Sequence, residues 1–253
     1  MVCITMRLKI YIYIDGEDVK RIFIGTGLIV CDNAFADFDS LKSVIISYPR
    51  PGLHLSLRKK GCSQILSHLI ESYLSERKIG DSAFSFHENL TNVTILKYVT
   101  EIGAWAFSGC TALTKIIIPN SVTEIGNYAF KCCKNLKKII IPNSVTEMGD
   151  GVFLDCTALK EVQLSKLLHM IRENTFSGCT ALETITIPNG VTEIGPHAFF
   201  SCESLKNVQL PASLLTIGEY ALYYCDSLGT VYVPKGTELA QCAFPETTKV
   251  IRY

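Results

Sequence analysis

The amino-acid sequence repeats itself every 23 residues. The phrase IIIPNSVTE occurs at residues 116–124 and again at 139–147. A column of large apolar residues follows the same interval and consists of Phe84, Phe107, Phe130, Phe153, Phe176, Phe199 and Leu222, with Phe244 after a further 22 residues. A fixed period of this length is typical of a fold in which one short structural unit stacks on the next.

Each repeat unit contains a strand, a proline and a turn. The spacing L-x-x-I-x-I places β-branched residues on one face of a strand, and a proline then ends the strand pairing. A second extended piece, V-T-E-I-G, leads into A-F-x-x-C-x-x-L, whose spacing of three predicts a turn of 3₁₀- or α-helix. The strand motif occurs at residues 90–95, 113–118, 136–141, 159–164, 182–187, 205–210 and 228–233.

A single coil of this kind cannot bury its apolar side alone, so the coils are expected to stack into a solenoid. The segment from Leu113 to Cys133 resembles, nearly letter for letter, the repeat of the BspA-like leucine-rich repeat family, and the resemblance extends over residues 79–253. It implies a right-handed coil with a parallel β-sheet and short 3₁₀ or α turns, in one elongated domain. The asparagine of ordinary leucine-rich repeats is absent, so the curvature of ordinary leucine-rich repeat proteins is not inferred for this chain.

The first third of the chain is less regular. Residues 1–18 are predicted to form an N-terminal capping strand, and residues 19–48 two divergent repeats. Phe35 and Phe84 stand 49 residues apart, which is two periods plus three, so residues 49–78 are predicted to form one variant turn with a small insertion and a short amphipathic helix near 63–75. Regular repeats with a C-terminal cap are expected over 79–253.

Charge and hydropathy exclude several classes of function. The chain has 24 Lys plus Arg and 24 Asp plus Glu, so no net field attracts nucleic acid. No stretch approaches the roughly 20 apolar residues of a membrane helix, and the N-terminus has the alternation of a strand rather than the apolar core of a signal peptide. These patterns predict a soluble chain without membrane insertion, whereas the family resemblance suggests the cell surface or secretion.

The chemistry-bearing residues show no arrangement of an active or metal site. Six of the eleven cysteines share one repeat position, where a straight row suits neither disulfides nor a tetrahedral metal, and free structural thiols are expected. The five histidines fall in different positions of the repeat. A column of glutamates, which includes Glu101, Glu124, Glu147 and Glu193, is interpreted as a solvated edge. No catalytic residue, metal or cofactor is predicted.

The outward side of the strand motif is the predicted binding surface. Ile117 and Ile140 occupy solvent-facing positions where other repeats carry Thr or Gln, although isoleucine is also simply a good strand former. The predicted partner-binding residues are Lys115, Ile117, Lys138, Ile140, Glu161, Gln163, Gln209 and Tyr232. The V-T-E edge and the helix near 63–75 are the alternative sites.

Three classes of function follow from these patterns. The first is a non-catalytic solenoid that binds a host or microbial protein, which the family resemblance extends to a microbial surface or secreted adhesion protein. The second is an intracellular scaffold or effector, and the third, least supported, is an enzyme. The sequence leaves the partner and the oligomeric state open.

Overall fold

The computed structural model describes residues 78–95, 97 and 99–253, together with the backbone of four earlier strands. The predicted helix near 63–75 lies outside the described residues. In chain order, the described strands are β1 (Ile10–Tyr13), β2 (Arg21–Ile24), β3 (Ile29–Val30), β4 (Ser43–Ile46), β5 (Lys78–Ile79), β6 (Asn92–Ile95), β7 (Glu101–Ile102), β8 (Lys115–Ile117), β9 (Glu124–Ile125), β10 (Lys138–Ile140), β11 (Glu147–Met148), β12 (Glu161–Gln163), β13 (Met170–Ile171), β14 (Thr184–Thr186), β15 (Glu193–Ile194), β16 (Asn207–Gln209), β17 (Thr216–Ile217), β18 (Thr230–Val233), β19 (Glu238–Leu239) and β20 (Lys249–Arg252).

These strands form two rows along an elongated solenoid of about eight turns. The first strand row contains the L-x-x-I-x-I strands followed by the terminal strand β20, in the order β2, β4, β6, β8, β10, β12, β14, β16, β18, β20. The second strand row contains the V-T-E-I strands in two sheets, β3-β5-β7-β9-β11 and β13-β15-β17-β19. Pairing within both rows is parallel, and only β1 pairs antiparallel, against β2. The predicted parallel repeat solenoid is confirmed.

Two strand pairings near the start of the stack join residues that are 49 positions apart. β4 pairs directly with β6, with Val44 opposite Val93, although these residues stand 49 positions apart. β3 likewise pairs directly with β5, with Val30 opposite Ile79. Both pairings therefore span two periods plus three residues, and residues 49–77 of the predicted variant turn lie outside the described residues.

The core is built from columns of identical residues. Phe107 and Phe130 stack with ring centroids 5.5 Å apart and planes 1° from parallel, and the ring of Phe153 continues the stack 5.6 Å beyond Phe130. The leucine, isoleucine and cysteine columns are buried beside the rings. Because the coils from Phe84 to Phe199 present the same side chain at the same height, each inner ring of this stack meets an identical ring above and below. The repeat period therefore becomes a continuous hydrophobic core.

Between the two strand rows, the described coils form tight turns with hydrogen bonds three residues apart and no continuous helix. In one coil, Ser108 N donates to Trp105 O at 3.0 Å and Cys110 N to Phe107 O at 3.3 Å. Phe107 N, by contrast, donates to Ala129 O of the next coil at 2.8 Å. A helix would direct all these N–H groups along its own axis, whereas here alternate N–H groups join neighbouring coils.

Candidate protein-binding surface

The outward side of the first strand row carries the predicted binding residues. Along β8 the side chains of Lys115 and Ile117 are exposed while Ile116 between them is buried, as the two-residue alternation of a strand requires. The same pattern recurs on β10 with Lys138 and Ile140. Exposed positions on the following strands are occupied by Glu161, Gln163, Gln209 and Tyr232.

Two isoleucines form the apolar centre of this face. Ile117 and Ile140 are each 48% exposed, and they occupy equivalent positions on the adjacent strands β8 and β10. Lys115 and Lys138 occupy the other outward positions of the same strands. We refer to these four residues as the isoleucine patch. An apolar centre rimmed by charge is the composition of a protein-binding surface.

The two lysines of the patch differ in their pairing. Lys138 Nζ lies 2.6 Å from the Glu161 carboxylate on β12, and both side chains are exposed. For Lys115, no ion pair with another described residue is found, because β6 carries Asn92 opposite it. Lys115 therefore presents the less compensated positive charge. Sequence spacing placed all three residues on one face but did not reveal this difference.

The structure separates Tyr232 from the isoleucine patch. Tyr232 is exposed on β18, four strands beyond Ile140, which corresponds to about 19 Å at the usual spacing of strands. Between them, on β14 and β16, Thr186 Oγ1 donates to Gln209 Oε1 at 3.0 Å. The predicted residues thus share a face but form two groups, with a polar stretch between them.

The glutamate column of the second strand row forms an acidic groove of about 400 Å³. Glu101 pairs with Lys78 at 2.6 Å and lies in register with Glu124, which is followed by Glu147. Partial burial, followed by repulsion from Glu101 and Glu147, raises the pKa of Glu124. The carboxylates stand in a row at strand spacing and do not converge on a point. In the described residues, no group of three or more His, Cys, Asp or Glu side chains could hold a metal ion.

The cysteine column is buried and unpaired. Each thiol donates a hydrogen bond to a phenylalanine carbonyl of the preceding coil, as Cys156 Sγ does to Phe130 O at 3.1 Å. Burial raises the pKa of Cys110 to about 12 and also raises that of Cys156. A neutral, buried thiol is a poor nucleophile and a poor metal ligand. Free thiols are found at Cys110, Cys133, Cys156, Cys179, Cys202 and Cys225.

Sequence reasoning missed a set of partly exposed aromatic residues on the turns. Trp105 and Tyr128 lie in equivalent positions of adjacent coils, with ring centroids 4.4 Å apart. Lys131 Nζ lies over both rings, 5.4 Å and 5.7 Å from their centroids. Trp105 and Tyr128 both stand two residues before the phenylalanine of the repeat. This position varies strongly between repeats, and that variation was the available signal.

The comparisons with known proteins agree with this geometry. The family model described as "BspA type Leucine rich repeat region" matches residues 77–199 and 159–252, with six copies. The chain belongs to the BspA-type leucine-rich repeat family. Proteins of this family generally act in protein interactions or at surfaces, and solenoids of this type are typically non-catalytic binding scaffolds.

Two solved structures show the same architecture at low sequence identity. A leucine-rich repeat protein from Bacteroides ovatus is 26% identical, with a TM-score of 0.69 over 91% of this BspA-type chain and 55% of its own. One from Eubacterium ventriosum is 26% identical, with a TM-score of 0.61 over 85% of this chain and 60% of its own. This chain therefore spans little more than half of each. No curated protein matches the sequence.

The described residues form strands and turns but no helix. Within the part of the chain that the structure describes, there is no helix with the length and apolar character needed to cross a bilayer.

Proposed function

We propose that this BspA-type protein is a non-catalytic binding protein that docks a protein partner on the outward face of its first strand row. The observation that carries the proposal is the exposure of Ile117 and Ile140, each 48% accessible on adjacent strands. The repeat does not require apolar residues there, because Gln163 and Thr186 fill the same position on β12 and β14.

The isoleucine patch has the properties of an interaction centre. Burial of two half-exposed isoleucines against a partner removes apolar surface from water, which favours association. The strand backbone beneath them is held on both sides by neighbouring coils, so little conformational entropy is lost on binding. The charge of Lys115, unpaired within the described residues, favours a partner with an acidic surface beside an apolar one.

We further propose that the partner is a host or microbial protein and that binding takes place at a microbial surface or after secretion, as an adhesion function. The family relationship supports this location, since its members generally act in interactions or at surfaces. Labelling of intact source cells with a membrane-impermeant reagent tests it. Labelling of the protein is expected, and labelling only after lysis would contradict a surface location.

Site-specific photo-cross-linking tests the binding surface. A benzoylphenylalanine is placed at position 117 or 140, and at Leu215 as a control, since Leu215 is an exposed apolar residue near the second strand row. The three proteins are exposed to host and microbial extracts. One partner is expected to cross-link from 117 and 140 but not from 215. Equal cross-linking from all three positions, or cross-linking from 215 alone, would contradict the proposal.

A further inference from the structure

Five aromatic side chains on the C-terminal turns form a closed cycle of ring contacts. His197 contacts Phe200 at 5.4 Å between ring centroids, and Phe200 contacts Tyr224 at 5.2 Å. Tyr224 contacts Tyr223 at 4.5 Å, Tyr223 contacts Tyr220 at 5.5 Å, and Tyr220 returns to His197 at 5.4 Å. All five rings are at least partly exposed. We call these residues the aromatic cycle.

The backbone does not require aromatic residues at these positions. His197, Tyr220 and Tyr224 have φ angles of 54°, 53° and 59°, in the left-handed region that favours glycine. Gly151 holds the same repeat position two coils before His197 and three coils before Tyr220, with the same sign of φ. A side chain with a Cβ is disfavoured in this region by about 1 kcal/mol or more. Ser82 and Asn174 hold the same repeat position, each with a φ of 55°, so the fold does not require an aromatic residue there.

The same solenoid shows what such a position can hold. Trp105 and Tyr128 stack in the positions that His197 and Tyr220 occupy four coils later, and the amino group of Lys131 covers both rings. Tyr223 holds the same repeat position as Lys131, four coils later. The aromatic cycle therefore has a ring at the position where the Trp105–Tyr128 pair has a lysine. Among the described residues, no Lys or Arg side chain lies over a ring of the cycle.

Carboxylates accompany the cycle. Glu246 acts on Tyr223 through its charge, while the exposed residues Glu219 and Asp226 stand in the sequence next to Tyr220 and two residues after Tyr224. The neighbouring phenol of Tyr224 is the largest cause of a raised pKa at Tyr223, and the carboxylate of Glu246 contributes in the same direction. Aromatic faces and carboxylates both attract a cation, the faces through their quadrupoles and the carboxylates through their charge.

We propose that the aromatic cycle is a second binding site, separate from the isoleucine patch, that accepts a lysine or arginine side chain of a protein partner. The cation would lie against the aromatic faces as Lys131 lies against Trp105 and Tyr128. The occupant is a basic segment, since the aromatic faces supply affinity for an organic cation and the carboxylates exclude an acidic one.

Titration with short peptides tests the site. The probes are acetyl-Gly-Arg-Gly-amide and the same peptide with citrulline, a neutral isostere of arginine, and ring signals of the full chain are followed by NMR. The arginine peptide is expected to shift the ring signals of Tyr220, Tyr223 and Tyr224. The Kd from this titration should be at least about fivefold lower than the Kd of the citrulline peptide. Equal binding of the two peptides, or no shift of these signals by either, would overturn the proposal.

A substitution that imitates the first aromatic pair supplies the matched variant. Tyr223→Lys places the chain's own cation where Lys131 stands, so the arginine peptide should lose its effect on the remaining rings. Tyr253→Lys is the control, because Tyr253 is an exposed tyrosine outside both proposed sites, and it should bind the peptide like the wild type. Retained binding by folded Tyr223→Lys protein would contradict the proposed position of the cation.

The reverse substitution gives an independent readout. Lys131→Gln uncovers the Trp105 and Tyr128 rings, and Trp105 is the only tryptophan of the chain, so its fluorescence reports on that pair alone. The arginine peptide should change this fluorescence in the Lys131→Gln variant and leave the wild type unchanged. The same response in both proteins would show that Lys131 does not occupy a cation position and would remove the structural precedent for the proposal.

Discussion

The thiol of Cys156 donates a hydrogen bond to the backbone carbonyl oxygen of Phe130, 3.1 Å away in the preceding coil. Cys179 repeats this contact with Phe153 at 3.3 Å, and Cys202 repeats it with Phe176 at 3.1 Å. Phe130 O also accepts from the backbone N–H of Cys133 at 3.2 Å, so the thiol of the next coil adds a second hydrogen bond to the same oxygen and links neighbouring coils. This hydrogen bond also holds each thiol in its protonated form, because only that form can donate.

The raised thiol pKa predicts a loss of stability in alkali. Burial raises the pKa of Cys110 from an ordinary 9.0 to about 12. Below about pH 9 both the folded and the unfolded chain keep this proton, so the stability is fully present. Between about pH 9 and 12 only the unfolded chain releases it, and the free energy of unfolding should fall by about 1.4 kcal/mol per pH unit for each such thiol.

Denaturant titrations from pH 7 to 11 measure this slope. Cys110→Ala should reduce the alkaline slope by the contribution of one thiol, whereas Cys242→Ala removes an exposed thiol and should leave it unchanged. A slope that is the same in wild type and Cys110→Ala would show that burial does not perturb this thiol.

The phenylalanine stack predicts a large cost for a cavity in the middle of the core. Phe153 is fully buried between Phe130 and Phe176, at 5.6 Å and 5.5 Å between ring centroids. Phe153→Ala should lower the free energy of unfolding by about 3 to 5 kcal/mol. Phe86→Ala is the control, because Phe86 is 72% exposed, and it should cost less than about 1 kcal/mol. Similar losses in both variants would refute the burial pattern.

Close approach of neighbouring coils predicts a steric effect at one glycine position. A Cβ on Gly126 would lie 2.6 Å from the backbone nitrogen of Ala104 in the preceding coil, so the coils would have to move apart. Gly126→Ala should destabilise the protein by about 1 to 3 kcal/mol. Around Gly236 nothing lies within 4 Å, so Gly236→Ala should change stability by less than about 0.5 kcal/mol. An equal effect of Gly126→Ala and Gly236→Ala on thermal unfolding would contradict the close approach of neighbouring coils at Gly126.

The periodic part of the fold was predictable because each column places one residue type in one environment. The spacing of Phe107, Phe130 and Phe153 was sufficient to predict that they stack, since coils of equal length repeat their side chains in register. The alternation along β8 was sufficient to predict that Ile117 faces solvent. These features depend on local spacing alone.

Features that depend on contacts between coils were not predictable in the same way. The three-residue spacing around Trp105 fits a helix as well as it fits successive turns, and the left-handed φ of 58° at this residue together with bonds to the next coil decided the outcome. The pairing of Lys138 with Glu161 and the closure of the aromatic cycle arise between residues of different repeats. The repeat motif describes single repeats and therefore does not predict contacts between residues of different repeats.

The unequal pairing of the patch lysines predicts unequal kinetic effects. Lys138 is compensated by Glu161, whereas Lys115 has no ion pair among the described residues. Lys115→Glu should therefore slow association with an acidic partner more than Lys138→Glu does, and added salt should reduce the difference. Stopped-flow or surface-based kinetics at two ionic strengths would measure this, and a larger effect of Lys138→Glu would contradict the assignment.

The central claim is that Ile117 and Ile140 anchor the partner, and the affinity of the cross-linked partner for the Ile117→Thr/Ile140→Thr variant tests it most directly. Thr occupies the same outward position at Thr186, so folding should be preserved, which circular dichroism and thermal unfolding would verify. Leu167→Thr/Leu215→Thr is the matched control, since it removes two exposed apolar side chains away from the patch. Calorimetry should show the isoleucine variant binding at least about tenfold more weakly while the leucine variant binds like the wild type. Unchanged affinity in the folded isoleucine variant, or an equal loss in the leucine control, would contradict the claim.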